Sequence, residues 1–177
     1  DRAIFVGHEN IQYLTGFRPH RLMQAAVCLE PEGRCTLAAP NEEPEVAAAD
    51  NIVTFPAQWH CTLRQDQTET AVATLVDAVG DVLNGRTAVE YSVGGHHLSK
   101  HVGTLENTTD IDHDMWQIRR RKDDDELAMI RRAIDCTEAM YVRARELIRP
   151  GITELDVFNQ LQSAAVDVAG EPLTALG

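Results

Sequence analysis

Short apolar runs alternate with amphipathic helical periods over the first 112 residues, and this alternation restricts the chain more than any other feature. Ala3–Gly7, Ala25–Leu29, Cys35–Ala39, Asn51–Phe55, Thr87–Tyr91 and Thr108–Asp112 read as six strands. Each is short, and turn residues bound most of them. Pro31-Glu32-Gly33 joins the second and third as a β-hairpin. His8–Leu14 reads as one or two helical turns stopped by Gly16, and Gly95–Val102 as another short helix. The clearest helix is Asp66–Leu83, where Val72, Leu75, Val76, Val79, Val82 and Leu83 share one face and Asn84-Gly85 supplies the stop. The polar, Ala-rich stretch Pro40–Ala49 is expected to form a further short helix. Strands interleaved with helices imply an α/β domain, and the hairpin makes its sheet mixed. The domain is expected to occupy residues 1–115.

Residues 116–177 have a different character. After a linker, Asp123–Ile148 carries Leu127, Ile130, Ile134, Tyr141, Ala144 and Ile148 at helical spacing. Acidic residues crowd its start, and Arg143, Arg145 and Arg149 its end, which suits the helix macrodipole. Pro150-Gly151 breaks the pattern. Thr153-Glu154-Leu155-Asp156 then forms a capping signal for a helix running to about Val168. Two long helices without a sheet cannot bury both apolar faces, so they call for a further partner and for a longer parent chain. The start at Asp1, directly ahead of Ala3-Ile4-Phe5-Val6, likewise reads as cut or processed.

Charge excludes one class of partner. The chain has 16 Lys+Arg against 28 Asp+Glu, a formal net charge of −12. A nucleic-acid surface needs clustered cations to displace phosphate counterions, so nucleic acid is not an expected partner. No apolar run approaches the ~20 residues of a membrane helix, so no membrane is expected either. Cys28, Cys35, Cys61 and Cys136 lack Cys-x-x-Cys spacing and read as reduced thiols in a cytoplasmic setting. A Cys28–Cys35 bridge across the hairpin stays open.

Catalytic constellations are sparse. His97 and His101 stand four apart, but Leu98 occupies the place where a zinc helix carries its general-base Glu, so a solvated helix face is the expectation. Strand alternation would put Asp110, Asp112 and Asp114 on one face, open to water. Ser92, Ser99 and Ser163 lie in no nucleophile elbow, and no phosphate-binding glycine loop is present. Neither a catalytic residue nor a metal ligand is assigned. The remaining candidates are Phe17, Arg18, His20 and Arg21 in one loop, and Trp59 with His60 after the fourth strand. Arg and His at a loop tip can take up a carboxylate, and a Trp outside a regular element can serve as a contact.

Two segments together carry a family resemblance. Glu9-Asn10-Ile11-Gln12-Tyr13-Leu14-Thr15-Gly16-Phe17 follows the first strand. About 100 residues later come Arg119-Arg120-Arg121-Lys122, Asp123-Asp124-Asp125-Glu126-Leu127 and, after the long helix, Arg149-Pro150-Gly151-Ile152-Thr153-Glu154. In this order they resemble the creatinase / Xaa-Pro aminopeptidase / prolidase family of pita-bread metallohydrolases. The resemblance implies a six-stranded, creatinase-like N-terminal domain followed by the first helices of a truncated α+β catalytic domain. It implies a parent enzyme with two divalent ions (Mn, Co or Zn) held by two Asp, one His and two Glu. None of those five maps onto this chain, which is therefore expected to hold no metal and to be inactive alone. Further implications are a peptide substrate with proline at the second position, a homodimer or homotetramer, and residues lent to an active-site mouth. Creatinase-like C–N hydrolysis, or a non-catalytic protein-binding role as in the large subunit of the histone chaperone FACT, remain alternatives on the same fold.

Overall fold

A computed structural model of the chain describes residues 1–57, 66–80, 85–101 and 105–173. They divide into two compact units, Asp1–Arg120 and Arg121–Gly177.

The first unit is built on a six-stranded mixed sheet, as the alternation requires. Its strands are β1 (Arg2–Phe5), β2 (Ala26–Leu29), β3 (Cys35–Pro40), β4 (Asn51–Phe55), β5 (Thr87–Val89) and β6 (Thr108–Asp110), in the order β4-β3-β2-β1-β5-β6. The β1–β2 and β2–β3 pairs are antiparallel; the other three are parallel. Apolar residues cover both faces because successive side chains in a strand point to opposite sides. On one face Ile4, Ala26, Cys28 and Ala38 pack with Val72 and Leu75 of α2 (Gln67–Val79) and Leu98 of α3 (Gly95–Ser99). On the other, Phe5, Val27, Cys35 and Leu37 pack with Ile11 of α1 (His8–Thr15) and Met115 of α4 (Asp112–Arg120).

Four expectations need correction here. Residues 40–49 form no helix. Pro44 breaks the run, Asn41 adopts φ 64°, and the backbone is tied elsewhere, with Ala48 N–H donating to the Thr15 carbonyl at 2.7 Å. Helix α2 stops at Gly80, with φ 72°, and residues 81–84, over which the sequence reading carries it to Leu83, lie outside the described residues. Asp112–Arg120 is a helix, not a strand end and linker. Asp112 and Asp114 fall in its first turn and Arg119 and Arg120 in its last, the arrangement its dipole favours. Cys28 and Cys35 do not face each other. Cys28 pairs with Thr36 and Cys35 with Leu29, and the two thiols belong to opposite faces of the sheet, free and buried.

The second unit is an α-helical pair, α5 (Asp124–Leu147) and α6 (Glu154–Ala169). The predicted Thr153 signal is realised in full. Thr153 Oγ1 accepts from Asp156 N–H at 3.1 Å, and the Asp156 carboxylate accepts from the Thr153 N–H at 3.3 Å. At the head of α5 the Glu126 carboxylate accepts from Asp123 N–H at 3.0 Å. The pair packs through Cys136, Ala165 and Ala169, small residues that let the backbones approach closely. Arg132 donates to the Ala169 carbonyl at the C-terminal end of α6.

Candidate functional site

The loop from Phe17 to Arg21 hangs between two anchors. The first is α1. Gly16 ends this helix at φ 72°, a left-handed turn that an L side chain adopts only with strain. Thr15 Oγ1 donates back to the Ile11 carbonyl at 2.7 Å and accepts from Phe17 N–H at 3.2 Å. Gln12 Oε1 accepts from the Arg18 guanidinium at 3.0 Å. The second anchor is Gln67, buried at the start of α2. Its amide nitrogen donates to the Leu22 carbonyl at 3.0 Å, and its oxygen accepts from Gln24 N–H at 3.1 Å. Inside the loop, His20 Nδ1 accepts from Leu22 N–H at 3.3 Å and its carbonyl from Met23 N–H at 2.7 Å.

The structure therefore gathers Phe17, Arg18, His20 and Arg21 into one segment but gives them different surroundings. Phe17 is half-buried and packs against the second core cluster. Arg18, His20 and Arg21 are exposed. Trp59 and His60 lie outside the described residues.

Histidines 97 and 101 are not on a free solvated face. Both meet Glu69 of α2, at 3.3 Å from His97 Nδ1 and 3.1 Å from His101 Nε2, and Lys100 Nζ adds a bond at 2.9 Å. Partial burial pushes the Glu69 carboxyl up, but hydrogen bonds from Lys100, His97 and His101 outweigh that and hold it below its ordinary value. The aspartates around residue 112 are turn chemistry. Asp112 accepts from Ser92 N–H at 2.8 Å and Ser92 Oγ at 3.0 Å, while Asp110 accepts from Asp112 N–H at 3.0 Å. Among the described residues no group of three or more His, Cys, Asp or Glu is arranged to hold a metal ion. Burial pushes the Cys28 thiol up to about 11, against the nearby Arg2, and raises Cys35 as well, so neither is an activated nucleophile.

Sequence reasoning missed Glu90. It is 2 % exposed, and its carboxylate accepts from Val6 N–H at 2.6 Å, Gly7 N–H at 2.8 Å and the Asn10 side-chain amide. A glutamate ending the apolar run Thr87-Ala88-Val89 was the available signal. A Cβ at Gly7 would lie 2.8 Å from Glu90 Oε1, so any larger residue there would displace the carboxylate.

A mixed six-stranded sheet with helices on both faces, followed by a long helical pair, defines the architectural class. The family model for the creatinase/prolidase N-terminal domain matches residues 1–120, and the chain belongs to that family. No curated protein matches. Solved structures share the fold. Prolidase from Pyrococcus horikoshii OT3 aligns with a TM-score of 0.68 at 17% identity, over 93% of this chain and 44% of that one. X-Pro aminopeptidase from Thermotoga maritima MSB8 gives 0.67 at 16%, over 95% and 47%. Dipeptidase PepE from Mycobacterium ulcerans gives 0.62 at 21%, over 94% and 44%. The chain thus spans less than half the length of each of these proteins.

Proposed function

We propose that this chain is the N-terminal part of a dinuclear-metal peptidase acting on peptides with proline at the second position, and that its sheet domain serves assembly and substrate gating. The family match over residues 1–120 carries the reading. The names of the structural neighbours, a prolidase, an X-Pro aminopeptidase and a dipeptidase, supply the substrate class.

The loop gives the gating role a physical basis. It is held at both ends and presents Arg18, His20 and Arg21 to solvent. An Arg guanidinium offers paired N–H donors to a carboxylate, and a small peptide carries one at its end. Trp59 and His60 complete the proposed set. In the longer protein two divalent ions would supply a water deprotonated near neutral pH. The described residues assemble no ligand set for them. Free Cys28, Cys35 and Cys136 fit a cytoplasmic setting. Among the described residues no helix is long and apolar enough to cross a membrane.

Kinetics of the full-length protein test the reading. With Mn supplied, Arg18→Ala, His20→Ala and Arg21→Ala are expected to raise KM for Xaa-Pro dipeptides, by about tenfold in the most affected variant. A parent protein that leaves Xaa-Pro peptides intact under those conditions refutes the peptidase assignment. Unchanged KM in all three variants refutes the gating role.

A further inference from the structure

Glu90 is a buried charge with work assigned to every donor around it. Its three donors all come from the β1–α1 junction: the N–H groups of Val6 and Gly7, and the Asn10 amide. The side-chain oxygen of Asn10 accepts in turn from Arg119 Nη1 at 3.0 Å. The end of β5, the first turn of α1 and the last turn of α4 are thereby linked by one run of charge-assisted bonds. Such a carboxylate is stable only while its donors stay in place, so it fixes them as firmly as they fix it.

Helix α1 depends on this arrangement more than most helices would. It has eight residues, and Gly7 at its N-cap offers no side-chain acceptor. Where a cap side chain is missing, Glu90 ties the start of the helix through Val6, Gly7 and Asn10. Its far end carries the Phe17–Arg21 loop through Thr15 and Gln12. At 1.5 Å per residue the helix is about 12 Å long, so a tilt of about 5° at its start moves the loop by about 1 Å. A displacement of that size at a substrate-positioning group can cost up to about 100-fold in kcat/KM.

We propose that Glu90 and Asn10, backed by Arg119, are positioning residues that set the placement of the Phe17–Arg21 loop. Their bearing on substrate rests on the gating role proposed above. Hydrogen exchange on the 177-residue chain tests the placement directly. In Asn10→Ala the hydrogen-bonded loop amides of Phe17, Leu22 and Met23 are expected to exchange about fivefold faster or more, with those of β2 and β3 unchanged. Unaltered exchange in the loop, or acceleration spread evenly over β2 and β3, overturns the proposal. Should Asn10→Ala fail to fold, Arg119→Ala leaves the Glu90 bonds intact and is expected to give the same local pattern at smaller amplitude; no local change there also overturns it. In the full-length protein Asn10→Ala is expected to raise KM for an Xaa-Pro dipeptide about tenfold, with kcat within about twofold. Faster loop exchange with KM unmoved keeps the positioning assignment and removes the gating role, so the two claims fail separately.

Discussion

Leu75 in the sheet domain is fully buried, whereas Phe158, a larger apolar side chain on the helical pair, is 57% exposed. That contrast extends through both units. Ile4, Val27, Leu37 and Val89 are shut off from water between sheet and helices. Polar groups buried with them, Glu90 and Gln67, are paired across long stretches of sequence. In the helical pair only Cys136, Ala165 and Ala169 are buried, and Ile134, Tyr141 and Leu155 stand more than half exposed along with Phe158. An open groove along α5 is lined by Ile130, Ile134, Tyr141 and Val142. Order in the second unit comes from its ends: the Thr153–Asp156 box, Glu126 on Asp123, and Arg132 on the Ala169 carbonyl. A region can be regular because its ends are well made, or because its interior is full, and these two units separate the cases.

Truncating a large apolar side chain in each unit is the strongest way to break the comparison. Leu75→Ala is expected to destabilise the sheet domain by about 3 kcal/mol, from lost burial and the cavity left behind. Phe158→Ala is expected to change stability by no more than about 0.5 kcal/mol, since most of the ring already meets water. Urea unfolding of both variants measures the pair. A Phe158 cost equal to that of Leu75 would mean that this face of α6 is covered in solution, as in a self-assembled form, and the contrast would fail.

What could be read from the sequence follows the same division. Helix ends are coded locally. The Thr153-x-x-Asp156 signal, the acidic start of α5 and the stop at Pro150-Gly151 all sit within a few residues of the feature they specify, and each was legible. The six strands were legible too, because apolar runs bounded by turns are local patterns. Features set by distant partners were not. Residues 40–49 have helix-forming composition, yet Ala48 is drawn to Thr15 and Asp50 to Cys35, and those bonds replace a helix. Helix α4 was masked by the alternation of Asp110, Asp112 and Asp114, which imitates a strand; Met115 on the sheet decides otherwise. In the candidate site, the loop residues could be named but their anchors could not. Gln67 lies 45 positions from Leu22, Glu90 lies 84 from Val6, and nothing in either neighbourhood announces the contact.

A subtler test asks whether the helical pair really leans on its caps. Thr153→Ala removes the hydroxyl that accepts from Asp156 N–H and leaves the Asp156 carboxylate with one donor fewer. The expected cost is about 1 kcal/mol, confined to the second unit. Hydrogen exchange would show it as faster exchange in the first turns of α6, with the sheet amides unmoved. An undetectable effect would transfer the credit for α6 from its cap to its packing on Cys136 and Met140.

The smallest expected effect concerns the sheet domain's own surface, and it is read by pH. Glu69 joins α2 to the α3 region through Lys100, His97 and His101, with Asp66 3.7 Å from His97. Its carboxyl titrates below its ordinary value in the fold and near about 4.5 in the unfolded chain. The unfolded state therefore binds the proton first as pH falls, and folding opposes protonation. The stabilisation is complete above about pH 4.5 and disappears as pH drops through the depressed value. Glu69→Gln removes the charge at every pH, so its stability is expected to fall below that of the unmodified chain at pH 6 and to converge with it as pH drops through the depressed value. Thermal unfolding of the two proteins across that range provides the measurement. Parallel curves would mean that the carboxylate is solvated and that α3 is held by Leu98 in the core alone, bringing this corner of the first unit closer to the second, where surface bonds and buried contacts can be removed independently.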